Sequence, residues 1–214
     1  MLGRFKKLIR ERARASVLRS SRERLVNTSV TVFSSNCVGA VVCHDFGMRF
    51  NSPMVNLFMM PDDYLRFLNN LKYYLSLDVI DGGTSEWGGY PVGLLGDVKL
   101  HFVHYPSFEV ARQKWVARVK RVDLNNCCAI MIDRDGCTPK MAKSFDALPF
   151  ERKVFLTYRP IEDCSSVFVE PSWLDSGSCQ TADICAFLTP ISARRKLDSF
   201  DWVNFFNEAG KYCG

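Results

Sequence analysis

A chain of 214 residues, 47% hydrophobic and 24% charged, has the composition of an ordinary globular protein and the length for one α/β domain, or two small lobes, around a sizeable core. No apolar run approaches the roughly 20 residues needed to span a bilayer, and no continuous hydrophobic segment of signal-peptide type opens the sequence, which predicts a cytoplasmic protein. The net charge of +5 hides an asymmetry, because residues 1–24 carry nine basic and two acidic side chains, leaving the remainder at −2. Nine cysteines, an odd number with several inside apolar runs and no Cys-x-x-Cys pair, fit reduced thiols better than a disulfide framework.

The basic arm, residues 1–26, comes first. Leu2, Phe5, Leu8, Ile9, Ala13 and Val17 recur at helical spacing among its arginines and lysines. A basic amphipathic helix suits an anionic membrane surface, or else packs against its own domain. Nucleic acid is not expected, since no second basic patch with interleaved aromatics follows.

Residues 27–214 read as the α/β domain. Val30, Val32 and Phe33 make a short buried strand. Ser34, Ser35 and Asn36 turn the chain, and Cys37 opens a helix continuing through Ala40, Val41 and Val42, which Gly47 can close. Asn51-Ser52-Pro53 is a turn and Met54–Phe58 a strand. Pro61-Asp62-Asp63 starts a helix to about Leu75 with an apolar stripe at Tyr64, Phe67, Leu68 and Leu71. Residues 81–96 hold six glycines with Trp87 and Tyr90, either a functional loop or a connection between hairpin strands.

Asp97–Tyr105 reads as a strand stopped by Pro106, and Ser107 caps a helix to about Val122. The continuous apolar run Cys127–Ile132 is the pattern of a strand buried on both faces. Thr138-Pro139 caps the next helix. Lys153–Tyr158 and Ser166–Val169 are further strands, and Ser199 caps a last helix stopped by Gly210. Alternating strands and helices predict a Rossmann-like, mainly parallel sheet flanked by helices.

Several segments together resemble one bacterial family. They are Ser35-Asn36-Cys37-Val38-Gly39, Arg49-Phe50-Asn51-Ser52-Pro53 with Asn56-Leu57-Phe58, and Tyr90-Pro91-Val92-Gly93. His101-Phe102-Val103-His104-Tyr105 followed by Trp115, Arg118 and Arg121, and Met131-Ile132-Asp133-Arg134-Asp135-Gly136, complete the set. The chain resembles the bacterial domain-of-unknown-function family 1919 over roughly residues 28–160. Members often carry the label exopolysaccharide biosynthesis protein and are sometimes loosely called acetyltransferases. The resemblance implies a cytoplasmic α/β protein of surface-glycan assembly, where a basic arm would suit acceptors lipid-linked at the inner membrane face.

A thiol at a helix N-terminus sits where the dipole favours thiolate, so Cys37 is the candidate acyl nucleophile. The N–H groups of Val38 and Gly39 would supply an oxyanion site, and Asn36 and Gly39 join the substrate-binding set. The bland reading of Cys37 is a small buried residue that tolerates a tight turn. His104, at a strand end, is the candidate base, whereas His101, three residues away on a strand, points to the opposite face. Asp133 and Asp135 match the Asp-x-Asp device that holds Mg²⁺ or Mn²⁺ against a nucleotide sugar; otherwise Asp133 pairs with a basic side chain in a polar turn. Asn51, Ser52 and Asn56 can hydrogen-bond a sugar or simply form turns, and Trp87 and Tyr90 can stack on a sugar ring or pin the glycine loop.

The leading expectation is a transferase moving an acyl group, from a donor such as acetyl-CoA, to a sugar or lipid-linked glycan through Cys37 with His104 as base. The alternatives are a metal-assisted glycosyltransferase using Asp133 and Asp135, and a non-catalytic glycan-binding or scaffolding protein.

Overall fold

The computed structural model describes the backbone of residues 2–214 and the side chains of residues 9–214. The expected stripe positions Leu2, Phe5 and Leu8 therefore lie outside the described side chains. In chain order the helices are α1 (Leu2–Val17), α2 (Arg19–Arg24), α3 (Val38–Phe46), α4 (Pro61–Asn69), α5 (Leu71–Ser76), α6 (Phe108–Val119), α7 (Pro139–Asp146) and α8 (Trp202–Asn207). The strands are β1 (Thr31–Ser34), β2 (Ile80–Thr84), β3 (Pro91–Leu95), β4 (Val98–His101), β5 (Cys127–Ile132), β6 (Lys153–Thr157), β7 (Val167–Val169), β8 (Leu174–Asp175) and β9 (Gln180–Thr181).

The expected α/β architecture is present. A four-stranded sheet in the order β1-β5-β6-β7 is parallel throughout, with Phe33 opposite Ala129 and Met131 opposite Phe155. The apolar run of β5 is buried along its whole length. Cys127, Ala129 and Met131 join Tyr64 and Phe67 of α4, Trp115 of α6 and Phe145 of α7 on one side. Cys128, Ile130 and Ile132 join Val38 and Val42 of α3 and Trp202 and Phe206 of α8 on the other. Period-two alternation thus sends one strand into two cores. The predicted caps at Ser107 and Thr138 accept hydrogen bonds from Val110 N and Met141 N.

Four elements differ from expectation. Met54–Phe58 is an irregular segment rather than a strand, with Asn56 at φ 63° and only Phe58 bridging to His101. Its apolar side chains fill the core without needing a ladder. The helix from Pro61 breaks at Asn70, whose φ of −124° and ψ of 45° leave the helical region. Residues 80–101 form a separate antiparallel sheet, β2-β3-β4, so the strand before His104 does not belong to the parallel sheet at all. Asp201, not Ser199, caps α8, and Gly210 serves as an acceptor for Cys127 N beyond the helix end.

The basic arm is fastened to the domain. Arg14 is 5% exposed, with its guanidinium 2.7 Å from Asp45 and paired at 2.5 Å with Asp198. Asp45 also accepts from Arg195 at 3.1 Å. Arg10 and Arg195 lie over the Phe187 ring, each 4.2 Å from its centre, and Leu18 and Leu25 enter the core. Helical spacing marks the apolar positions of an amphipathic segment but not which arginine will be buried. Removing one partner of a buried ion pair costs about 3 kcal/mol or more, because the other charge stays desolvated. Arg14→Ala should therefore lower stability by about that amount in urea unfolding followed by circular dichroism. A change within about 0.5 kcal/mol would mean that the arm contributes nothing to the fold.

Candidate functional site

The turn between β1 and α3 is tightly built. Ser34 Oγ accepts from Gly39 N at 3.2 Å, and Asn36 Oδ1 accepts from Val38 N at 3.1 Å. A Cβ on Gly39 would lie 2.7 Å from the Ser34 Cβ, so glycine is what allows the helix to approach the strand this closely. Two corrections follow. The N–H groups expected to form an oxyanion site are already bonded within the turn, and Gly39 serves packing rather than substrate binding.

Cys37 is the N-cap residue just before α3, half-buried, with Sγ 3.9 Å from the Leu57 carbonyl oxygen. Burial raises the pKa of its thiol and the Asp183 carboxylate adds to the shift, so the expected thiolate is not favoured. Desolvation and a facing carboxylate outweigh the helix dipole here.

The residues around Cys37 line a cleft of about 410 Å³ at the carboxyl ends of β1 and β5. Five segments contribute: Asn36–Val38 with Val41, Phe58, Val103–His104, Ile132 with Arg134 and Asp135, and Ala182–Cys185. Carboxyl ends of parallel strands are where open α/β sheets bind ligands. His104 reaches the cleft from the turn after the antiparallel β4, and its N–H points to Asn56 O at 3.4 Å. Of the residues singled out in the sequence, the structure thus places Asn36, Cys37, His104 and Asp135 in this cleft, although the route by which His104 arrives was not expected.

Asp133 does not join them. It is 2% exposed, and its carboxylate accepts from Thr157 Oγ1 at 2.8 Å and from Arg159 Nε at 3.0 Å. Its backbone carbonyl accepts from Thr181 N. Asp133 therefore ties β5, β6 and β9 together, as the polar-turn reading has it. Asp135, in the left-handed region at φ 58°, pairs with Arg134 at 3.3 Å. With one carboxylate filled by donors and the other beside a guanidinium, the two aspartates do not fit a Mg²⁺ or Mn²⁺ seat. Among the described residues no group of three His, Cys, Asp or Glu side chains is gathered to hold a metal ion.

The other proposed sugar contacts disperse. Asn51 Nδ2 donates to Ser29 O, and the buried Ser52 Oγ accepts from Met54 N. Asn56 is exposed and supports the His104 turn through its carbonyl. Trp87 and Tyr90 gather instead around His101, whose ring lies between Phe58 at 4.5 Å and Trp87 at 5.6 Å, nearly parallel to both. Burial lowers the pKa of His101, which leaves its imidazole neutral in this stack. Trp87 remains 71% exposed, so the face away from His101 is open.

Sequence reasoning missed Phe58, Arg134, Asp183 and Cys185 as cleft residues. Arg134 lay in plain view between two aspartates; the 182–185 segment carries no periodicity or motif that would mark it.

A thiol whose pKa is raised reacts slowly near neutrality and speeds up as pH climbs past the usual thiol value of about 8.5. Iodoacetamide at pH 7 should label the exposed Cys179 and Cys213 before Cys37, with Cys37 catching up only in alkaline buffer. Peptide mass spectrometry resolves the three sites, and preferential labelling of Cys37 at pH 7 would show that its thiolate is stabilised after all.

An uncharacterized protein of Haemophilus influenzae (strain ATCC 51907 / DSM 11121 / KW20 / Rd) is 38% identical over 205 residues, covering 96% of this chain and 97% of that protein. The model of a domain of unknown function, DUF1919, matches residues 8–207, which takes in much of the basic arm as well as the sheet and the cleft. The chain is a member of the DUF1919 family.

Proposed function

We propose that this protein is a transferase of bacterial surface-glycan assembly that acylates a sugar hydroxyl directly, with His104 as the base. The observation that carries this reading is the convergence of His104 with Asn36, Arg134 and Asp135 in one cleft at the carboxyl edge of the parallel sheet. An imidazole is suited to take the proton of a hydroxyl, and the exposed His104 is free to approach one. The hydroxyl oxygen then attacks the carbonyl of a thioester such as acetyl-CoA. The new ester bond forms, the carbon–sulfur bond breaks, and the proton held by His104 passes to the departing thiolate.

Direct transfer is favoured over a Cys37 acyl-enzyme because the Cys37 thiol holds its proton and the neighbouring N–H groups are spent. It is favoured over metal-assisted glycosyl transfer because Asp133 is committed to Thr157 and Arg159. The acceptor in this proposal is a sugar or a lipid-linked glycan. The exposed arginines Arg12, Arg19, Arg22 and Arg24 support peripheral contact with the anionic inner membrane face. No helix among the described residues is long and apolar enough to cross a membrane.

Loss of a general base lowers turnover by about 100-fold or more. With acetyl-CoA and a panel of bacterial glycans, His104→Gln should show such a loss in thiol release while Cys37→Ser keeps turnover within about threefold. Abolition by Cys37→Ser, with His104→Gln active, would replace direct transfer by an acyl-enzyme.

A further inference from the structure

Three arginines outside the cleft have positive charge and no partner for it. Arg49 follows α3, Arg118 lies in the last turn of α6, and Arg121 follows one turn later, its N–H bonded to Arg118 O at 2.9 Å. Among the described residues, no carboxylate lies within ion-pairing distance of any of them. Other arginines held within the domain, Arg14, Arg152, Arg159 and Arg195, each meet an aspartate or glutamate.

The cluster is also organised. Arg118 Nη1 donates to the Tyr105 hydroxyl at 2.6 Å, and that hydroxyl donates to Val55 O at 2.9 Å. The Arg118 guanidinium stands 5.8 Å from the centre of the Phe50 ring, beside Arg49 in sequence. Arg121 Nε is buried and has no hydrogen-bond acceptor in the protein. A buried donor without an acceptor is costly, and so is the gathering of like charges. Burial, together with Arg49 and Arg118, lowers the pKa of Arg121. The carboxyl end of α6 offsets only part of this, since a helix terminus is worth about half a negative charge against three positive ones.

We propose that Arg49, Arg118 and Arg121 form a receptor for a phosphoryl group. Guanidinium forks match phosphate oxygens two at a time, and a dianion with several acceptor oxygens uses three such forks where a single carboxylate cannot. The site is held by the Tyr105 hydroxyl, and the preceding residue, His104, faces the cleft. The bound group would therefore lie behind the turn that presents His104. The proposal does not depend on the reaction assigned to that cleft.

The test uses the full chain, inorganic phosphate and thermal unfolding at constant ionic strength, with chloride as the control anion. Phosphate should raise Tm in a saturable way. Arg49→Gln, at an exposed position, and Arg121→Gln should each weaken that response at least about tenfold. Without phosphate the same variants should unfold at a higher temperature than the parent, because a like charge has been removed; a purely structural arginine would do the reverse. Arg134→Gln, in the cleft, should leave the phosphate response in place. The source of the phosphoryl group is read with vesicles of phosphatidylcholine with and without phosphatidic acid. Cluster-dependent binding to the phosphatidic acid vesicles assigns a lipid headgroup, and a response to inorganic phosphate alone assigns a soluble ligand; both uphold the receptor. No response to either probe, or a phosphate response undiminished in both cluster variants, would overturn it.

Discussion

The structure depends on β5 being covered on both faces. Its six residues are at most 2% exposed, so helices must lie above and below it and its backbone groups must be taken up by strands on either side. The strands β1 and β6 do this in parallel, and parallel neighbours require crossovers, which supply the covering helices. At the carboxyl end of β5 that coverage stops. Ile132 is the last core residue of the strand, and Arg134 and Asp135, just beyond it, line the cleft. The position of the cleft is thus a consequence of how one apolar hexapeptide is buried.

Around the cleft, many polar groups are committed to the scaffold. Ser34 and Asn36 cap the start of α3, Asp133 clamps β6 and β9, and Asn56 anchors the turn carrying His104. Rigid first turns and a filled carboxylate remove the groups that covalent or metal-assisted chemistry would draw on. They also hold the backbone of the turns from which the cleft side chains project.

Legibility followed the range of the interactions involved. Local signals were readable: the β1 turn into α3, the Ser107 and Thr138 caps, and the continuous apolar run of β5. Each is decided by residues within a few positions of one another. Signals that depend on distant partners were not. Met54–Phe58 has the composition of a strand, but the core it fills is built by α4 and α6. The burial of Arg14 rests on Asp45 and Asp198, 31 and 184 positions away, so nothing within the arm itself marked it. The cleft segment at Ala182–Cys185 has no period because it follows the surface of other elements rather than a ladder of its own.

The closure of the chain on itself bears on how it is made. Arg14 pairs with a residue 184 positions away, and the N–H of Val26 is accepted by Asn207, 181 positions away. During vectorial synthesis Arg14 and Val26 are made long before Asp198 and Asn207, which they meet in the fold. Arg14 can meet Asp45 early, but its contact with Asp198 closes only after β1, β5 and β6 have been made, and non-local closure of this kind slows folding. The seat of the arm is thus completed by residues near position 200.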